Sequence, residues 1–254
     1  MTHSVSAIII TFNESQNIAE CIASLHWCQE IIVVDRSSAD DTVARAREAG
    51  ARVKVTDDWP GFGIQKNRAL ALATKDWVLS VDADERVTPA LASEIQKTLA
   101  QAVQADAYAI PRLSSYCGQF MRHGGWYPDE IVRLFRRTRG RFSDDLVHES
   151  IQISGRVERL RESLLHESFR DLEQVLDKLN AYSTSGAAMM LSKGRRAGIM
   201  TAIVHGFWTF FRGYVIKRGF LDGRMGFVLA ISNAHGAYYR YLKLWLLTNN
   251  HPPR

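Results

Sequence analysis

The sequence contains few of the features that mark secreted or membrane-spanning proteins. It has three cysteines in 254 residues, Cys21, Cys28 and Cys117, an odd number without the spacing of a metal site. We therefore expect reduced thiols in a cytosolic environment. The first residues lead directly into an apolar strand pattern, with no basic segment followed by the apolar core of a secretory signal. The folded part of the chain is expected to stay in the cytoplasm.

Long uninterrupted apolar runs, internal repeats and low-complexity stretches are also missing. The apolar segments after residue 198 are interrupted by charged residues such as Arg212. Because an arginine near the centre of a bilayer costs about 2.5 to 3.5 kcal/mol on insertion scales, the sequence predicts no transmembrane helix. A chain of 254 residues is long enough to bury a full core, as one large domain or as one domain with an appendage.

Positive charge is concentrated at one end of the chain. The formal net charge is +5, but residues 199–254 alone hold seven Lys or Arg against one acid, together with 11 of the 25 aromatic residues. Basic, aromatic-rich amphipathic helices lie in the membrane interface, where each Lys or Arg contributes about 1 kcal/mol. We therefore expect this region to bind a membrane surface, and two helices packed on the sheet are the alternative. Two apolar stripes recur at helical spacing: Ile199, Ile203, Phe207, Phe210, Phe211 and Tyr214, and then Phe227, Ile231, Tyr238, Leu242 and Trp245.

Strand-like and helix-like segments alternate over residues 1–110, which predicts a parallel sheet with crossover helices. A capping hydroxyl at Thr88 followed by Pro89 predicts a helix start. The predicted fold class is α/β, with one domain at residues 1–170 and a helical region at residues 171–254. The expected strands lie at residues 7–11, 31–34, 53–55, 77–81, 107–111, 131–136 and 150–153.

Two carboxylates one residue apart, Asp82 and Asp84, follow the apolar strand at 77–81. The carboxyl ends of strands in an open α/β sheet are where ligands bind. Mg²⁺ or Mn²⁺ takes hard oxygen ligands, commonly one or two carboxylates with substrate phosphates in the other positions. The pattern therefore predicts a divalent cation that bridges the protein to a nucleotide diphosphate. The alternative is that Asp84 and Glu85 are turn residues or charges near the start of the following helix.

Four segments of this sequence follow one another in a specific order and spacing: residues 7–14 (AIIITFNE), 31–42 (IIVVDRSSADDT), 65–69 (QKNRA) and 78–85 (VLSVDADE). Together they resemble the family 2 glycosyltransferases, which have the GT-A fold. A single Asp-x-Asp would not support this resemblance, whereas four motifs in the same order and spacing do. The resemblance implies a Rossmann-like, mostly parallel sheet with a C-terminal amphipathic helical extension, and a nucleotide-sugar donor.

The resemblance also assigns residues to the donor. A fixed carboxylate at Asp35 would accept a hydrogen bond from an N–H group on the edge of the base, which favours uracil and therefore UDP. Turn, cap and solvated helix-face roles are the alternatives for Asn13, Asp35, Lys66 and Arg68. The implied set is Thr11, Phe12, Asn13 and Glu14 at the base and ribose, Asp35 at the uracil ring, Lys66 and Arg68 at the phosphates, and Asp82 and Asp84 at the Mg²⁺ or Mn²⁺, with Ala83 between them.

Sugar transfer with inversion needs a general base that takes the proton from the acceptor hydroxyl, and a carboxylate can do this. In this family the base lies downstream of the metal motif. We favour Asp129, because Gly124-Gly125-Trp126 before it resembles an acceptor loop with an aromatic platform for a sugar. Glu130 and Glu149 are the alternatives. His148 is a candidate for a further metal or phosphate ligand, and a structural histidine is the other interpretation.

Residues 126–149, with their RLFRR and VHE sequences, and residues 219–223 (GFLDG) carry a finer resemblance. They resemble the lipopolysaccharide inner-core glucosyltransferases, which add β-1,4-glucose to a heptose. It implies a hexose, glucose, moved from a UDP-sugar to a lipid-linked saccharide at the cytoplasmic face of the inner membrane, with no nucleic-acid partner. Another cell-envelope glycan or a polyprenyl phosphate is the alternative acceptor. Arg133 and Arg136 of RLFRR are candidates to reach the diphosphate or an anionic acceptor.

Three other functions fit the sequence less well. A nucleotidyltransferase would have a glycine-rich basic loop after the first strand, where this chain has residues 11–14 (TFNE). A phosphatase of the haloacid dehalogenase type would have its Asp-x-Asp on the first strand, whereas here it follows a later one. A membrane-bound scaffold with a degenerate transferase domain would not need the intact carboxylates.

Overall fold

The computed structural model describes residues 3–101, 104–143 and 150–249. The chain divides into two compact units. The first contains the chain up to Arg112 and the segment Asp129–His166, and the second contains Leu113–Pro128 and the chain from Glu167 onward. The segment Leu113–Pro128 therefore groups with the C-terminal helices, whereas the expected division after residue 170 places it in the N-terminal domain.

The first unit contains most of the strands and four of the helices. The strands of the chain are β1 (Val5–Thr11), β2 (Glu30–Asp35), β3 (Arg52–Val55), β4 (Trp77–Ser80), β5 (Glu85–Val87), β6 (Ala107–Tyr116), β7 (Gln119–Phe120), β8 (Asp129–Arg136), β9 (Gly140–Phe142), β10 (Ile151–Ile153), β11 (Val157–Arg159) and β12 (Leu164–Phe169). The helices of this unit are α1 (Ile18–Ala23), α2 (Thr42–Glu48), α3 (Phe62–Leu72) and α4 (Pro89–Ala100).

The main sheet has the strand order β3-β2-β1-β4-β8-β6-β12-β5. The first four strands are parallel, as the alternating pattern predicts. From β4 onward the neighbours β4-β8, β8-β6 and β12-β5 are antiparallel. The α/β class and the Rossmann-like parallel sheet are confirmed, and the sheet as a whole is mixed.

Apolar residues cover both faces of the parallel strands, because side chains alternate between the faces along each strand. Ile9 and Leu79 belong to one buried cluster, while Ile8 and Val78, their neighbours in sequence, belong to another. Strands buried on both faces read as continuous apolar runs, which explains why β1 and β4 are recognisable in the sequence. This fully packed sheet fixes the strand ends, where polar residues follow.

The second unit is helical, as expected from about Leu172 onward. Helix α5 (Leu172–Ser192) begins at Asp171, whose side chain accepts a hydrogen bond from the Gln174 N–H. Helix α6 (Ile199–Phe211) continues directly into a π-helical turn, Arg212–Ile216. A 3₁₀ turn, Gly219–Asp222, then leads into the long helix α7 (Gly223–Asn249).

Two glycines permit a close approach at the start of α7. A Cβ atom on Gly226 would lie 1.9 Å from the carbonyl oxygen of Gly219, and one on Gly219 would lie 2.9 Å from the carbonyl oxygen of Gly213. Any side chain at either position would therefore collide with backbone. The Asp222 carboxylate fixes the same turn, because it accepts hydrogen bonds from the His123 N–H at 2.8 Å and from His123 Nδ1 at 2.7 Å.

Helix α6 exposes its large apolar side chains and buries its small ones. Ala202 and Gly206 are buried, and a Cβ on Gly206 would lie 3.2 Å from the Cβ of Tyr238 on α7. The exposed side chains are Ile199, Met200, Ile203, Val204, Phe207, Trp208 and Phe211, of which Phe207 is 70% exposed. A helix of a soluble protein normally shows the reverse pattern.

One stretch of the described residues, Ile199–Ile216, has the length and the composition of a membrane-spanning helix, with a mean hydropathy of 1.2. Core helices of soluble proteins can have the same length and composition, but only 11% of this stretch is buried. The sequence predicts no spanning helix because of Arg212. The exposed apolar face makes this segment a candidate surface for binding a membrane or a partner.

Candidate active site

The candidate site lies where three neighbouring parallel strands of the first unit end. Strands β2, β1 and β4 are adjacent, and the residues at or just after their carboxyl ends are Asp35, Thr11 and Asp82. The sequence assigned all three to a nucleotide-sugar site. The carboxyl edge of a parallel sheet is the expected place for such a ligand.

Asp35 is fully buried and its carboxylate is held by its neighbours. The Thr11 hydroxyl donates to Oδ2 at 2.8 Å. The backbone N–H of Ser38 donates to Oδ1 at 2.8 Å, and the Ser38 hydroxyl donates to Oδ2 at 2.6 Å. The carboxylate therefore has a fixed position and orientation, which is what recognition of a base edge requires.

The loops after β1 and β2 are tied together by further hydrogen bonds. Asn13 has a positive φ of 55°, its N–H donates to the Ser38 hydroxyl at 2.8 Å, and its side-chain oxygen accepts from the Ala39 N–H at 2.9 Å. The N–H of Glu14 donates to the Thr42 hydroxyl at 2.8 Å. Asparagine tolerates this left-handed conformation better than most residues, so Asn13 here shapes the loop.

An exposed aromatic surface adjoins these loops. The Arg36 guanidinium lies 4.8 Å from the centre of the Phe12 ring and 4.9 Å from the centre of the Trp59 ring. The Phe12 side chain is 46% exposed, which leaves ring surface open for a flat ligand. The sequence motifs predict Phe12 at the donor, and they do not predict Arg36 or Trp59.

Six charged side chains of the first unit form a continuous series of ion pairs in which positive and negative groups alternate. We call this series the ion-pair chain. Lys66 Nζ lies 3.1 Å from Asp82 Oδ1. Arg133 Nη2 lies 2.5 Å from Asp82 Oδ2 and 2.6 Å from Glu85 Oε1. Its members, in order, are Lys66, Asp82, Arg133, Glu85, Arg112 and Asp129, with Arg112 3.6 Å from Glu85 and 2.6 Å from Asp129.

Burial and opposite charge act against each other in this ion-pair chain. Burial alone would raise the pKa of Asp82, but Arg133 and Lys66 outweigh it and hold that pKa well below its usual range. Burial alone would lower the pKa of Arg133, but Asp82 and Glu85 outweigh it and raise that pKa. For the fully buried Glu85, burial outweighs the attraction of Arg133 and raises the pKa. Asp82 is thus firmly ionised.

A β-bulge aims Arg133 at the carboxylates. In the pairing of β6 with β8, Ala109 lies opposite Val132 and Tyr108 lies opposite Leu134, so Arg133 has no opposite residue. Bulges redirect side chains and are common next to active sites. The sequence predicts that Arg133 reaches a diphosphate or an anionic acceptor, whereas in the structure its guanidinium pairs with Asp82 and Glu85.

Asp84 has different surroundings from Asp82. Its Oδ2 lies 3.3 Å from Nε2 of His166, and its side chain is 28% exposed. His166 lies on β12 directly opposite Glu85 of β5, and no local signal in the sequence indicated it. Ala83, between the two aspartates, is buried. Asp82 is therefore neutralised by two cations, while Asp84 has an imidazole as its neighbour.

The donor set suits a divalent cation that is shared with a substrate. Among the described residues, no group of three or more His, Cys, Asp or Glu side chains converges as a complete metal site. Mg²⁺ is commonly held by one or two carboxylates together with substrate phosphates, without a full protein cage. Carboxylate oxygens suit Mg²⁺ and Mn²⁺, and imidazole is a common metal ligand, so Asp84 and His166 fit such an ion.

The candidate bases are placed differently from one another. Asp129 lies opposite Arg112 in the sheet, and Arg112 donates two hydrogen bonds, at 3.0 and 2.6 Å, to Oδ2. Glu130, the next residue on the strand, has its Oε2 3.0 Å from Arg159. The structure thus brings Asp129, and not Glu130, into the ion-pair chain. Glu149 and His148 lie outside the described residues.

Lys66 and Arg68, the two predicted phosphate ligands, also differ. Lys66 is nearly buried and contacts Asp82. Arg68 forms a two-pronged pair with Asp58, from Nη1 to Oδ1 at 2.6 Å and from Nη2 to Oδ2 at 2.7 Å. Lys66 is therefore next to the Asp82–Asp84 motif, whereas Arg68 is held by an exposed acid.

Sequence comparison gives a consistent result. The sequence model described as "Glycosyl transferase family 2" matches residues 6–162. The lipopolysaccharide core biosynthesis glycosyltransferase LpsC of Rhizobium meliloti is 33% identical over 258 residues, which is 93% of this chain and 93% of that protein. An uncharacterized glycosyltransferase of Rickettsia conorii, RC0292, is 33% identical over 256 residues, 96% of this chain and 90% of that protein.

Structure comparison finds a more partial likeness. Glucosyl-3-phosphoglycerate synthase from Mycobacterium tuberculosis, in complex with Mn²⁺, UDP and glucosyl-3-phosphoglycerate, is 28% identical with a TM-score of 0.37. The match covers 46% of this chain and 45% of that one. Mannosyl-3-phosphoglycerate synthase from Rubrobacter xylanophilus has a TM-score of 0.38 over 43% of this chain.

Proposed function

The chain belongs to glycosyl transferase family 2, and we propose that this glycosyltransferase moves a hexose, glucose, from a UDP-sugar to a lipid-linked saccharide with inversion at the anomeric carbon. The observation that carries the proposal is the meeting of Asp35, Thr11 and the Asp82–Glu85 motif at the carboxyl edge of β2, β1 and β4. The acceptor we propose is a heptose of the lipopolysaccharide inner core. The supporting relative is LpsC, which is named for lipopolysaccharide core biosynthesis.

The donor nucleotide is proposed to bind at the loops after β1 and β2. The fixed Asp35 carboxylate accepts the uracil N–H, and its hydrogen bonds from Thr11 and Ser38 hold it in place for that contact. The exposed ring of Phe12 offers an apolar face to the base or the ribose. The Phe12 ring is already exposed for its contact, whereas the fully buried Asp35 carboxylate must be uncovered before it can accept the uracil N–H.

A Mg²⁺ or Mn²⁺ ion is proposed to be held by Asp84, with His166 as a second donor and the UDP diphosphate in the other positions, while Asp82 stays paired with Lys66 and Arg133 beside it. When bound, such an ion neutralises the charge that develops on the departing UDP. Lys66 and Arg133 place two further positive charges at the motif. Because these cations already neutralise Asp82, Asp84 is the carboxylate of the motif that is best placed to coordinate a metal ion.

Asp129 is proposed as the general base. Arg112 binds only its Oδ2, and within the described residues Oδ1 accepts no hydrogen bond. That free oxygen can take the proton of an acceptor hydroxyl while Arg112 fixes the orientation of the carboxylate. Glu130 is held by Arg159 and keeps a structural role.

The metal proposal predicts that UDP binds more tightly with Mn²⁺ than with a chelator. The change Asp84→Asn should reduce the affinity in Mn²⁺ toward the chelator value, by roughly the 10- to 100-fold that loss of a supporting group at a metal site costs. Calorimetry measures both affinities. The matched control is Asp58→Asn, which removes an exposed acid paired with Arg68 and should leave the effect of Mn²⁺ unchanged. Equal UDP affinity of the wild type in Mn²⁺ and in chelator would remove the metal from the mechanism.

The protein is proposed to bind the cytoplasmic face of the inner membrane peripherally, through the exposed apolar face of α6. The face carries large apolar side chains while Ala202 and Gly206 are packed inward. Lys193, Arg195 and Arg196 precede it and Lys217 and Arg218 follow it, which suits an anionic leaflet. Lys243, by contrast, is engaged with four oxygen atoms of α5 and cannot serve as a free docking charge.

The membrane proposal predicts that Val204→Ser with Phe207→Ser weakens binding to phosphatidylglycerol vesicles. Each buried side chain of this size contributes about 1.5 to 3 kcal/mol. The partition coefficient for vesicle binding, measured by co-sedimentation, should therefore fall about 100-fold or more. The control is Leu172→Ser with Leu176→Ser, since these α5 residues are about as exposed. If the α6 variant sediments like the wild type, or if both variants lose binding equally, α6 is not the docking face.

A further inference from the structure

The second unit contains a cavity that the mechanism does not use. Its volume is about 540 Å³, which lies in the range of small-molecule sites. The walls come from α5, α6, the π-helical turn, α7 and the Gly124-Gly125-Trp126 loop. That loop is the one in which the sequence suggested an aromatic platform for a sugar.

The cavity is lined by four cations and by no acid: Lys178, Arg212, Lys217 and Arg240. Among the described residues, none of the four forms an ion pair with a carboxylate at 4.0 Å or less. They come from two separate helices, the π-helical turn and the residue that follows it, and they converge on one space. Uncompensated positive charge around a cavity of this size suits an anionic ligand.

All four cationic residues are exposed, and contacts with neighbouring groups position two of them. The Lys178 ammonium lies 4.6 Å from the centre of the Phe169 ring, and the stem of Arg240 lies so close to α5 that a Cβ on Gly186 would be 2.9 Å from Nε. Arg212 is the first residue of the π-helical turn, an irregularity that is frequent at functional sites. Lys178 and Arg240 are thus held against the wall of the cavity while their charges remain accessible to a ligand.

Aromatic rings line the same cavity. The rings of Tyr116, Trp126 and Phe169 lie 5.8 to 6.1 Å apart between centres, and Trp208 of α6 forms another part of the wall. Aromatic faces offer apolar contact to the C–H faces of a sugar ring, and Ser232 and Asn233 of α7 add polar groups. The lining therefore combines groups for an oxyanion with groups for a saccharide.

We propose that this cavity binds an anionic saccharide, a sugar that carries a phosphate or a carboxylate, and that Arg212 and Arg240 hold its oxyanion. The proposal rests on the proposed function in one respect, since such a sugar would be the anionic part of the lipid-linked acceptor. Charge, volume and aromatic lining carry it independently of that role.

The test is calorimetric titration of the full chain, with UDP and Mn²⁺ present at saturation so that the nucleotide site is filled. The probes are glucose 6-phosphate and glucuronate, with glucose as the neutral sugar and glycerol 3-phosphate as the phosphate of a lipid headgroup without a sugar. Wild-type protein should bind both anionic sugars at least 10-fold more tightly than either comparison probe. The variant Arg212→Met with Arg240→Met should weaken both anionic sugars by at least 10-fold.

The control variant is Arg122→Met with Arg224→Met, which removes two exposed cations of the same unit that do not line the cavity. It should change the affinities less than two-fold. Equal weakening in both variants, or unchanged binding in the cavity variant, would overturn the proposal. Glycerol 3-phosphate that binds as tightly as glucose 6-phosphate would assign the cavity to a lipid headgroup and overturn the saccharide. UDP binding is read separately, so a protein that binds the anionic sugars and not UDP contradicts the proposed function alone.

Discussion

Replacing Asp129 with asparagine should lower the rate of sugar transfer by roughly 10² to 10⁴, the usual contribution of a general base. Asparagine keeps an oxygen for the Arg112 hydrogen bonds but cannot take the acceptor proton. Affinity for UDP and for the UDP-sugar should therefore stay nearly unchanged. The measurement is transfer of labelled glucose from UDP-glucose to core-truncated lipopolysaccharide, with nucleotide affinity taken by calorimetry on the same preparations.

The control for Asp129 is its neighbour on the strand. Glu130→Gln removes a carboxylate that pairs with Arg159 and should leave the rate within about two-fold. Glu149→Gln is the second comparison, because the sequence offered Glu149 as a base. A large loss of rate in either glutamine variant with little loss in Asp129→Asn would assign the base to that residue. Absence of any transfer by the wild type would exclude the proposed acceptor.

Replacing Arg133 with methionine should reduce the free energy of unfolding by about 3 to 5 kcal/mol, the cost of removing one partner from a buried ion pair. The side chain of Arg133 is 7% exposed and that of Glu85 is 0% exposed. The methionine would fill much of the space but leave Glu85 and Asp82 without their shared cation. Urea unfolding of the variant and the wild type measures the difference.

Two further variants make the Arg133 result specific. Arg159→Met removes an arginine of an exposed pair, which is worth only about 0 to 1 kcal/mol. The double variant Arg133→Met with Glu85→Gln removes the buried acid as well, so it should recover part of the lost stability. If Arg133→Met costs no more than Arg159→Met, the ion-pair chain does not contribute to stability as its burial implies.

The parts of the site that the sequence predicts are those encoded within one short segment. Strand β4 is a continuous apolar run, and the carboxylates that follow it must fall at the end of a strand, so Asp82 and Asp84 could be placed without a structure. The same holds for Asp35 after β2. The α/β class and the parallel strands β1 to β4 follow from the same local alternation and are confirmed.

The parts that the sequence does not predict depend on how distant strands pair. Arg133 reaches Asp82 because of a bulge in β8, and a bulge is a property of the pairing of two strands. His166 reaches Asp84 because β12 pairs with β5 in one register. The orientation of helix α6 is also not predicted by the sequence. Its apolar stripe is visible in the sequence, but the direction in which the stripe faces depends on Gly206 fitting against Tyr238.

The loops that carry Asn13 and Ser38 are joined before any ligand arrives. Four hydrogen bonds link Asn13 with Ser38 and Ala39 and Ser38 with Asp35. A ligand that binds between two mobile loops must compensate the conformational entropy lost when they become ordered. Here the folding of the sheet has already ordered them, so under the proposed function less conformational entropy is lost when a donor nucleotide binds. Its affinity then depends on contacts and charge, and discrimination between bases follows from a carboxylate that cannot move to accommodate the wrong one.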